Sequence, residues 1–286
     1  MSETFKPSDL RPFGSTGRQV TPVGLGGEGV LRTHGRTAEA QGVILSALRA
    51  GITYFDSAHA YADSEIYLGS IYSQDPDIRG GIFQASKSAS RDYQGALTDL
   101  ENTLARLQID FLDLWQIHDV RTQTDLDRIS APNGALKAFE EAKSSGRVKH
   151  IGVTGHENPD ILTQAVRDWP VDAVMMPINP AEAVIGGFLD HTMPVAQKKG
   201  VAVIGMKVLG GGHYVLSKKG ITADQLIRFV LSYDISTVIV GCSKPNEVHT
   251  LASAGQSYQP LSKAEQGALI KKFAPQAKQL AFYRGA

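Results

Sequence analysis

The chain has little cysteine, no excess of either charge and no long apolar run. Its one cysteine, Cys242, cannot form a disulfide within the chain, which is typical of a protein from a reducing compartment. The 29 basic residues are balanced by 29 acidic residues, so no net field favours nucleic acid or an anionic membrane surface. No apolar segment is long enough to span a bilayer, and the N-terminus lacks the pattern of a signal peptide. We therefore expect a cytoplasmic protein whose partners are neither nucleic acid nor membrane.

Short apolar segments alternate with amphipathic helical segments along most of the chain. Strands that alternate with helices pair in parallel, because the helix carries the chain back to the same end of the sheet. The 286 residues, 42% of them hydrophobic, contain no low-complexity linker, so we expect one α/β domain over residues 1–286, a (β/α)8 TIM barrel. Two doubly wound halves are the rival fold. The predicted strands begin at Val23 and continue at residues 53–56, 82–86, 111–117, 148–153, 171–176, 201–206 and 236–240.

Turn and capping signals mark the ends of the barrel and of several helices. Gly14 and Gly17 enclose a polar turn, which predicts an N-terminal β-hairpin ahead of the barrel. Ser262 begins a capping box, which predicts a C-terminal helical tail. A helix is also predicted from Pro132 to Gly146. The other predicted helix caps are Thr37, Asp92, Asn158 and Thr222.

Ionisable side chains follow three successive predicted strands. Asp56 and Tyr61 lie at or just after the end of the second strand. Lys87 follows the third strand and His118 the fourth. The carboxyl ends of all the strands of a barrel meet at one face, where catalytic residues lie. Each residue alone has a structural explanation, such as a loop cap or a surface lysine, but together they predict a proton-transfer site.

Tyr61 is the candidate proton donor of this set. A free tyrosine has a pKa near ~10, too high for efficient donation at neutral pH. A neighbouring ammonium favours the phenolate, so we expect Lys87 to lower the pKa of Tyr61, while Asp56 neutralises and positions the lysine. His118 could hydrogen-bond the substrate oxygen and orient it. The set is suited to protonating an oxygen on which negative charge develops.

At these residues the chain resembles the aldo-keto reductases. The resemblance implies a (β/α)8 barrel in which Tyr61 is the general acid, Lys87 and Asp56 tune it, and His118 orients the substrate. It also implies an NAD(P)-dependent oxidoreductase that interconverts an aldehyde or ketone and an alcohol, with a small carbonyl or alcohol compound as its substrate. The segments that carry the resemblance are residues 54–61, 86–87, 114–118, 146–153 and 209–212, together with the predicted hairpin.

The same resemblance implies a nicotinamide coenzyme at the barrel mouth, with NADP as the family default. Thr154 and Gly155 stand where the family has a Ser-Asn pair for the carboxamide, and Met206 stands where it has a stacked aromatic ring. Glu247 stands where many relatives have arginine, and its carboxylate would repel a 2′-phosphate, so NAD is the alternative coenzyme. The implied coenzyme-binding residues are Gly27, Glu28, Thr154, Gly155, Met176, Met206, Lys207, Leu209, Gly241, Cys242, Ser243, Lys244 and Glu247.

Two other functions remain open at this point. Lys87 at a strand end of a barrel could form a Schiff base, which would make the protein an aldolase. A nicotinamide-nucleotide-sensing regulatory subunit would bind coenzyme and turn over poorly. The scattered histidines lack the spacing of a metal site, although His156 and His213 lie in loops where they could touch substrate. The aromatic candidates for the substrate pocket in the tail are Tyr258, Phe273, Phe282 and Tyr283.

Overall fold

A computed structural model describes residues 5–6, 9–216, 220–256 and 259–285. Eight of the apolar segments form parallel strands, β3 to β10, which close into a barrel in the order β10-β3-β4-β5-β6-β7-β8-β9. Two further strands, β1 and β2, form the predicted antiparallel hairpin. The predicted (β/α)8 barrel is therefore confirmed. The strands are β1 (Arg11–Pro12), β2 (Gln19–Val20), β3 (Val23–Gly29), β4 (Tyr54–Asp56), β5 (Phe83–Ser88), β6 (Leu112–Ile117), β7 (Val148–Thr154), β8 (Ala173–Pro177), β9 (Ala202–Met206) and β10 (Thr237–Cys242).

Helices follow the barrel strands and cover its outside, and a helical tail follows β10, as predicted. A five-residue π-helical segment, Phe188–Thr192, leads directly into α9. Short 3-10 turns lie at Val30–Arg32, Gly210–Gly212, Ala274–Gln276 and Phe282–Arg284. The helices are α1 (Thr37–Arg49), α2 (Ser64–Tyr72), α3 (Pro76–Gly80), α4 (Tyr93–Leu107), α5 (Gln123–Ser130), α6 (Ala135–Ser144), α7 (Pro159–Asp168), α8 (Glu182–Ile185), α9 (Met193–Lys198), α10 (Ala223–Leu231), α11 (Pro245–Gln256), α12 (Lys263–Phe273) and α13 (Ala277–Leu280).

Most of the predicted helix starts are confirmed by capping hydrogen bonds. Asp92 accepts from the backbone N–H of Gly95, and Thr222 and Ser262 form complete capping boxes. The start at Thr37 is wrong by one position, because Arg36 is the N-cap and makes no side-chain capping bond.

The helix predicted from Pro132 is also wrong in extent. The predicted range 132–146 contains α6 (Ala135–Ser144), and a separate helix, α5, ends at Ser130 before Pro132. Thr122, which is not among the predicted caps, starts α5 with a capping box. Gly134 precedes α6 as its N-cap, so α6 begins three residues after Pro132.

The period-two alternation of the strands divides the core into two layers. Tyr54, Phe83 and Met175 belong to a cluster inside the barrel, which the hairpin residue Phe13 closes at the amino-terminal end. Phe13 packs on Phe83 with ring centroids 4.7 Å apart. Intervening residues such as Trp115 face outward and pack under the helices. The hairpin thus plugs one end, which leaves the carboxyl ends of the strands as the open face.

No helix among the described residues is long and apolar enough to cross a membrane. The described part of the chain also brings together no group of three or more His, Cys, Asp or Glu side chains with metal-binding geometry.

Candidate active site

The four residues predicted for proton transfer lie together at the carboxyl ends of β4, β5 and β6. Asp56 ends β4 and Lys87 lies near the end of β5, and the Lys87 Nζ donates to Asp56 Oδ2 at 2.5 Å. Tyr61 lies in the loop after β4, and its hydroxyl is 3.5 Å from Nε2 of His118, the residue after β6. We call Asp56, Tyr61, Lys87 and His118 the tetrad.

The Asp56–Lys87 ion pair is fully buried. Both side chains are 1% exposed, and the Lys87 Nζ also donates to the carbonyl oxygen of Ser57 at 2.6 Å. Burial raises the pKa of Asp56 and lowers the pKa of Lys87, and the charge of each partner opposes that shift in the other. Each charge is therefore stabilised by the other charge of the pair. Removing either side chain would leave an unpaired buried charge.

Tyr61 holds its proton tightly. Burial, followed by the Asp56 and Glu28 carboxylates, raises the pKa of Tyr61, while Arg32 lowers it by a smaller amount. The expected net lowering of the Tyr61 pKa is therefore wrong for this structure, because burial and the carboxylates outweigh the neighbouring cations. Lys87 Nζ lies 4.8 Å from the centroid of the Tyr61 ring, but its hydrogen bonds go to other acceptors. Tyr61 is consequently a protonated phenol at neutral pH, as a proton donor must be.

Glycine at position 27 makes room for the Tyr61 ring. A Cβ at Gly27 would lie 2.8 Å from Tyr61 Cδ2 and 2.9 Å from the carbonyl oxygen of Asp56. Real Cβ atoms do not approach backbone oxygen that closely, so a side chain here would displace the tyrosine. Gly27 thus contributes to the site through its lack of a side chain.

His118 is a neutral imidazole. Burial, reinforced by the positive charge of Lys87, lowers the pKa of His118 to about 3. A neutral imidazole has one donor and one acceptor nitrogen and can therefore hydrogen-bond an uncharged carbonyl oxygen. This state suits the orienting role expected for His118.

Main-chain hydrogen bonds lock the turn that carries His118. The backbone N–H of His118 donates to the Ser88 carbonyl at 2.8 Å. Arg91 donates to the carbonyl oxygens of His118 and Asp119 at 2.8 and 2.7 Å, and Asp125 holds Arg91 at 2.9 Å. No sequence motif indicates this role of Arg91, because the residue it holds is 27 positions away.

Strained backbone marks the same face of the barrel. Four non-glycine residues in the described chain have positive φ, and one of them, Gln108, is an ordinary helix C-cap. The other three directly follow site residues: Ala62 (φ 42°) follows Tyr61, Asp119 (φ 58°) follows His118, and Lys207 (φ 56°) follows Met206. Strain of this kind persists where the surrounding structure imposes it, which is common at functional sites.

Not all of the residues that the resemblance implies for the carboxamide of the nicotinamide lie at the mouth of the barrel. Thr154 ends β7, and its Oγ1 accepts from the backbone N–H of Asp119 at 2.8 Å, which leaves its own proton to donate. The assignment of Met176 is wrong, because its side chain faces outward, fully buried in the core under the helices. Met175 faces the barrel interior instead. Period-two alternation moves a side chain to the opposite face with each one-residue step. Gly155 is also buried, and a Cβ there would meet the Val120 carbonyl oxygen at 2.9 Å.

The residues expected to bind the rest of the coenzyme follow β9 and β10. Met206, at the end of β9, is partly buried against the interior cluster. Lys207 and Lys244 form no ion pair with any described residue. The Glu247 carboxylate accepts from the backbone N–H of Ser243 at 2.6 Å. We call the group Met206, Lys207, Ser243, Lys244 and Glu247 the coenzyme arm.

The remaining implied coenzyme residues occupy varied surroundings. Cys242 is 1% exposed, and burial raises the pKa of its thiol to about 12, so it is a packed residue and not a nucleophile. A Cβ at Gly241 would lie 2.6 Å from the Cβ of Glu28, so glycine lets β10 approach β3 closely there. Leu209, after β9, is a partly buried residue packed against the outer core.

Arg32 is a further site residue, which no sequence motif indicates. Its guanidinium carbon lies 4.8 Å from the centroid of the Tyr61 ring. Glu28 Oε1 accepts from Arg32 at 2.8 Å, and both side chains are about half exposed. The only available signal was its place in the loop after β3, at the end of the barrel where catalytic residues lie.

The C-terminal tail is anchored across the loops after β7 and β8. The Tyr283 hydroxyl donates to Glu182 Oε1 at 2.8 Å and accepts from Asn179 Nδ2 at 2.8 Å. Arg284 also pairs with Glu182. His156 Nδ1 is 2.9 Å from the Tyr283 carbonyl oxygen. Burial raises the pKa of Tyr283, so its hydroxyl stays protonated.

The other residues singled out in the loops and tail differ in exposure. Phe273 is buried and packs edge-on against Tyr214, so it is a core residue. Phe282 is 49% exposed and contacts His213, the ring centroids being 6.0 Å apart. Phe282 and His213 therefore form an accessible aromatic pair beside the loop that follows β9. Tyr258 lies outside the described residues.

The chain belongs to the aldo/keto reductase family, whose sequence profile matches residues 22–225. Members of this family are oxidoreductases. The match contains the whole tetrad and seven of the eight barrel strands, and β10 lies beyond it.

Named relatives match over different shares of the chain. A 6-dehydroglucose reductase from Novosphingobium aromaticivorans is 31% identical over 179 residues, which is 56% of this chain and 56% of that protein. The chain thus spans just over half the length of this relative. L-galactose dehydrogenase from Arabidopsis thaliana is 26% identical over 90% of this chain and 93% of its own.

Solved structures have the same fold. The holo form of an aldo-keto reductase from Bacillus halodurans superposes with a TM-score of 0.76 at 21% identity, covering 93% of this chain and 96% of that one. An aldo-keto reductase from Klebsiella pneumoniae in complex with NADPH has a TM-score of 0.75 at 19% identity, covering 92% and 95%.

Proposed function

We propose that residues 1–286 form one catalytic domain, an NAD(P)-dependent oxidoreductase that interconverts an aldehyde or ketone and an alcohol. The observation that carries this proposal is the protonated Tyr61 hydroxyl 3.5 Å from the neutral imidazole of His118, beside the buried Asp56–Lys87 pair. A proton donor and a neutral hydrogen-bonding group 3.5 Å apart are what a carbonyl oxygen needs in order to be held and protonated.

Each member of the tetrad has a separate role in this mechanism. The Tyr61 hydroxyl gives its proton to the carbonyl oxygen as negative charge develops there, and it takes the proton back when an alcohol is oxidised. His118 hydrogen-bonds the same oxygen and fixes its direction toward Tyr61. Lys87, held by Asp56, places a positive charge 4.8 Å from the Tyr61 ring, which stabilises the phenolate left after proton transfer. A protonated tyrosine and a neutral histidine are both ready before substrate arrives.

The coenzyme arm fits a pyrophosphate-containing coenzyme. Lys207 and Lys244 are cations that no described carboxylate neutralises, and Ser243 precedes the N-terminus of α11, where backbone N–H groups favour anions. A nicotinamide coenzyme supplies the hydride when bound. The Klebsiella pneumoniae neighbour is in complex with NADPH, which supports NADP. The Glu247 carboxylate already accepts from the Ser243 N–H, which supports NAD as the alternative, since this acid would repel a 2′-phosphate.

The closing test is coenzyme consumption by the purified chain with a panel of aldehydes and ketones, followed in the near-ultraviolet with NADPH and with NADH. We expect consumption that falls roughly 10²- to 10⁴-fold in Tyr61→Phe, because the proton donor is lost, while coenzyme binding is retained. Tyr93→Phe is the matched control, since its hydroxyl bonds Glu141 at the surface. Full activity in Tyr61→Phe would refute the mechanism.

The two other functions predict different results in the same assay. A regulatory subunit would bind both coenzymes and consume neither. A Schiff-base aldolase would require Lys87 to leave the Asp56 carboxylate and the Ser57 carbonyl, and the 1% exposure of this lysine argues against that role. Borohydride trapping of a carbonyl compound on Lys87 would nevertheless reveal it.

A further inference from the structure

Tyr61 and His118 are carried by different loops, so the 3.5 Å between them depends on what joins those loops. Tyr61 lies in the loop after β4 and His118 in the turn after β6, and β5 lies between these two strands in the barrel. A displacement of about 1 Å at a reacting group can reduce an enzymatic rate as much as ~10²-fold. A group outside the tetrad that connects the two loops would therefore affect the reaction without touching the substrate.

Asp99 of α4 connects to the loop after β5 through two serine hydroxyls. Ser88 Oγ donates to Asp99 Oδ2 at 2.6 Å, and Ser90 Oγ donates to the same oxygen at 2.8 Å. The backbone N–H of Ser90 donates to Ser88 Oγ at 3.2 Å, so the two serines and the carboxylate form a closed set of hydrogen bonds. Hydrogen bonds to a carboxylate are roughly twice as strong as those between neutral groups. Asp99 thus fixes the end of β5 and the loop that follows it to the helix.

The segment that Asp99 holds is bonded in turn to His118. The Ser88 carbonyl accepts from the backbone N–H of His118 at 2.8 Å. Ser90 is followed by Arg91, whose guanidinium donates to the His118 carbonyl at 2.8 Å. Both main-chain polar groups of His118 are therefore bonded to residues of the segment that Asp99 anchors.

The other oxygen of Asp99 faces the loop that carries Tyr61. Asp99 Oδ1 lies 3.5 Å from His59 Nε2. His59 precedes Tyr61 by two residues, and its backbone N–H donates to the Lys87 carbonyl at 3.0 Å. Arg106, also on α4, donates to the His59 carbonyl at 3.2 Å. The loop after β4 is thus fastened to the same helix as the loop after β5, and Asp99 contacts both.

Glycine at position 95 lets α4 come close to the serine loop. A Cβ at Gly95 would lie 3.0 Å from Ser90 Oγ and 3.1 Å from Ser90 Cβ, which is tighter than ordinary van der Waals contact. A side chain there would push Ser90 out of its place. Asp99 lies four residues after Gly95, on the same face of α4. This face of the helix is therefore fitted to the loop that Asp99 bonds.

We propose that Asp99 is a positioning residue that sets the distance between the Tyr61 hydroxyl and the His118 imidazole. It acts on His118 through Ser88 and Ser90, and on Tyr61 through His59. This inference rests on the proposed reductase function and adds to it a residue outside the tetrad.

The first test measures turnover of an aldehyde with NADPH in three variants of α4. Asp99→Ala removes both acceptor oxygens, so we expect kcat to fall roughly 10- to 100-fold, while the Kd of NADPH measured by fluorescence is unchanged. Asp99→Asn keeps an oxygen that can accept from both serine hydroxyls, so its kcat should stay close to that of wild type. Glu101→Ala is the control, since Glu101 is an exposed residue of the same helix.

The double variant Ser88→Ala/Ser90→Ala breaks the same hydrogen bonds from the other side. It should lose as much kcat as Asp99→Ala does. Adding Asp99→Ala to it should cause no further loss, because groups that act as one unit are not additive. Losses that simply multiply would show that Asp99 does not act through the serines.

The ring resonance of His118 gives a measurement that does not depend on turnover, and its absence in His118→Gln identifies it. In wild type it should not titrate between about pH 5 and pH 8, since the pKa of His118 is about 3. In Asp99→Ala we expect titration within that range, because a displaced imidazole gains water. Loss of the Asp99 negative charge by itself would lower the pKa of His118 further, so an upward shift reports movement of the ring.

The outcomes separate this inference from the proposed function. A wild-type kcat in Asp99→Ala, an equal loss in Asp99→Asn, a weakened Kd for NADPH or an unchanged His118 resonance would overturn the positioning role and keep the reductase function. A wild-type protein that consumes coenzyme with no aldehyde or ketone would overturn the reductase function. Titration of His118 in Asp99→Ala would then still show that Asp99 fixes the His118 turn.

Discussion

The tetrad and the coenzyme arm lie at the same face of the barrel but differ in how they are held. In the tetrad, Lys87 bonds Asp56 at 2.5 Å and Tyr61 approaches His118 at 3.5 Å, and both charged members are buried. In the coenzyme arm, Lys207 and Lys244 have no ion-pair partner among the described residues. The comparison shows that the groups for proton transfer are arranged by the protein itself, whereas the cations that would bind coenzyme depend on the ligand for their partner.

The largest effect is expected at the centre of the tetrad. Lys87→Met leaves the Asp56 carboxylate buried without its partner, and removing one partner of a buried ion pair destabilises a protein by about 3–5 kcal/mol. Urea denaturation measures this change. Lys137→Met is the control, since that lysine is 57% exposed and lies 3.9 Å from Glu141. Equal unfolding midpoints for the two variants would show that the buried Asp56–Lys87 pair stabilises the fold no more than the exposed Lys137–Glu141 pair does.

A slightly smaller effect is expected from filling the space beside Tyr61. Gly27→Ala places a Cβ 2.8 Å from Tyr61 Cδ2, and overpacking of this kind destabilises by about 1–3 kcal/mol. Turnover should fall as well, because the hydroxyl is displaced. Gly42→Ala is the matched control in α1, where a Cβ meets nothing within 4 Å and should raise stability by about 0.5–1 kcal/mol. If both substitutions change the melting temperature in the same direction, a side chain at position 27 does not overpack the space beside Tyr61.

The neutral state of His118 predicts a pH dependence of stability. Its pKa is about 3 in the folded protein, below the unfolded value of ~6.5. The unfolded chain then binds the additional proton between these two pH values, so this contribution to stability is lost as the pH falls below about 6.5. Wild type should lose about 2 kcal/mol more than His118→Gln between pH 7 and pH 5. Parallel pH curves of unfolding free energy for the two proteins would show that His118 is not a buried neutral group.

The smallest effect is expected in the coenzyme arm. Glu247→Arg removes the carboxylate from the Ser243 N–H and adds a cation, which should shift the ratio of the Kd values for NADPH and NADH about tenfold toward NADPH, or about 1.4 kcal/mol. Glu101→Arg makes the same charge change at an exposed position of α4 and is the control. If the ratio of the two Kd values is the same in both variants, Glu247 does not select between the coenzymes. The folding free energy of Glu247→Arg should stay close to wild type, in contrast to Lys87→Met.

The parts of the site that could be predicted from sequence are those that follow from local spacing. Asp56, Lys87 and His118 lie at strand ends, and strand ends are visible as the points where short apolar runs stop. Met176 was misassigned because one residue of error in strand phase exchanges the inside and the outside of the barrel. The direction of the Tyr61 pKa was also misjudged, because burial and the carboxylates around Tyr61 outweigh the neighbouring cations.

The sequence by itself determined the alternation of strands and helices, the hairpin, most helix caps and the order of the tetrad along the chain. These depend on residues close in sequence, where side-chain periodicity and capping act. Only the tertiary structure decided that Arg91 holds the His118 turn and that Arg32 lies against Tyr61. Those contacts join residues from different loops, and their geometry is set by closure of the barrel, which brings distant positions to a single face.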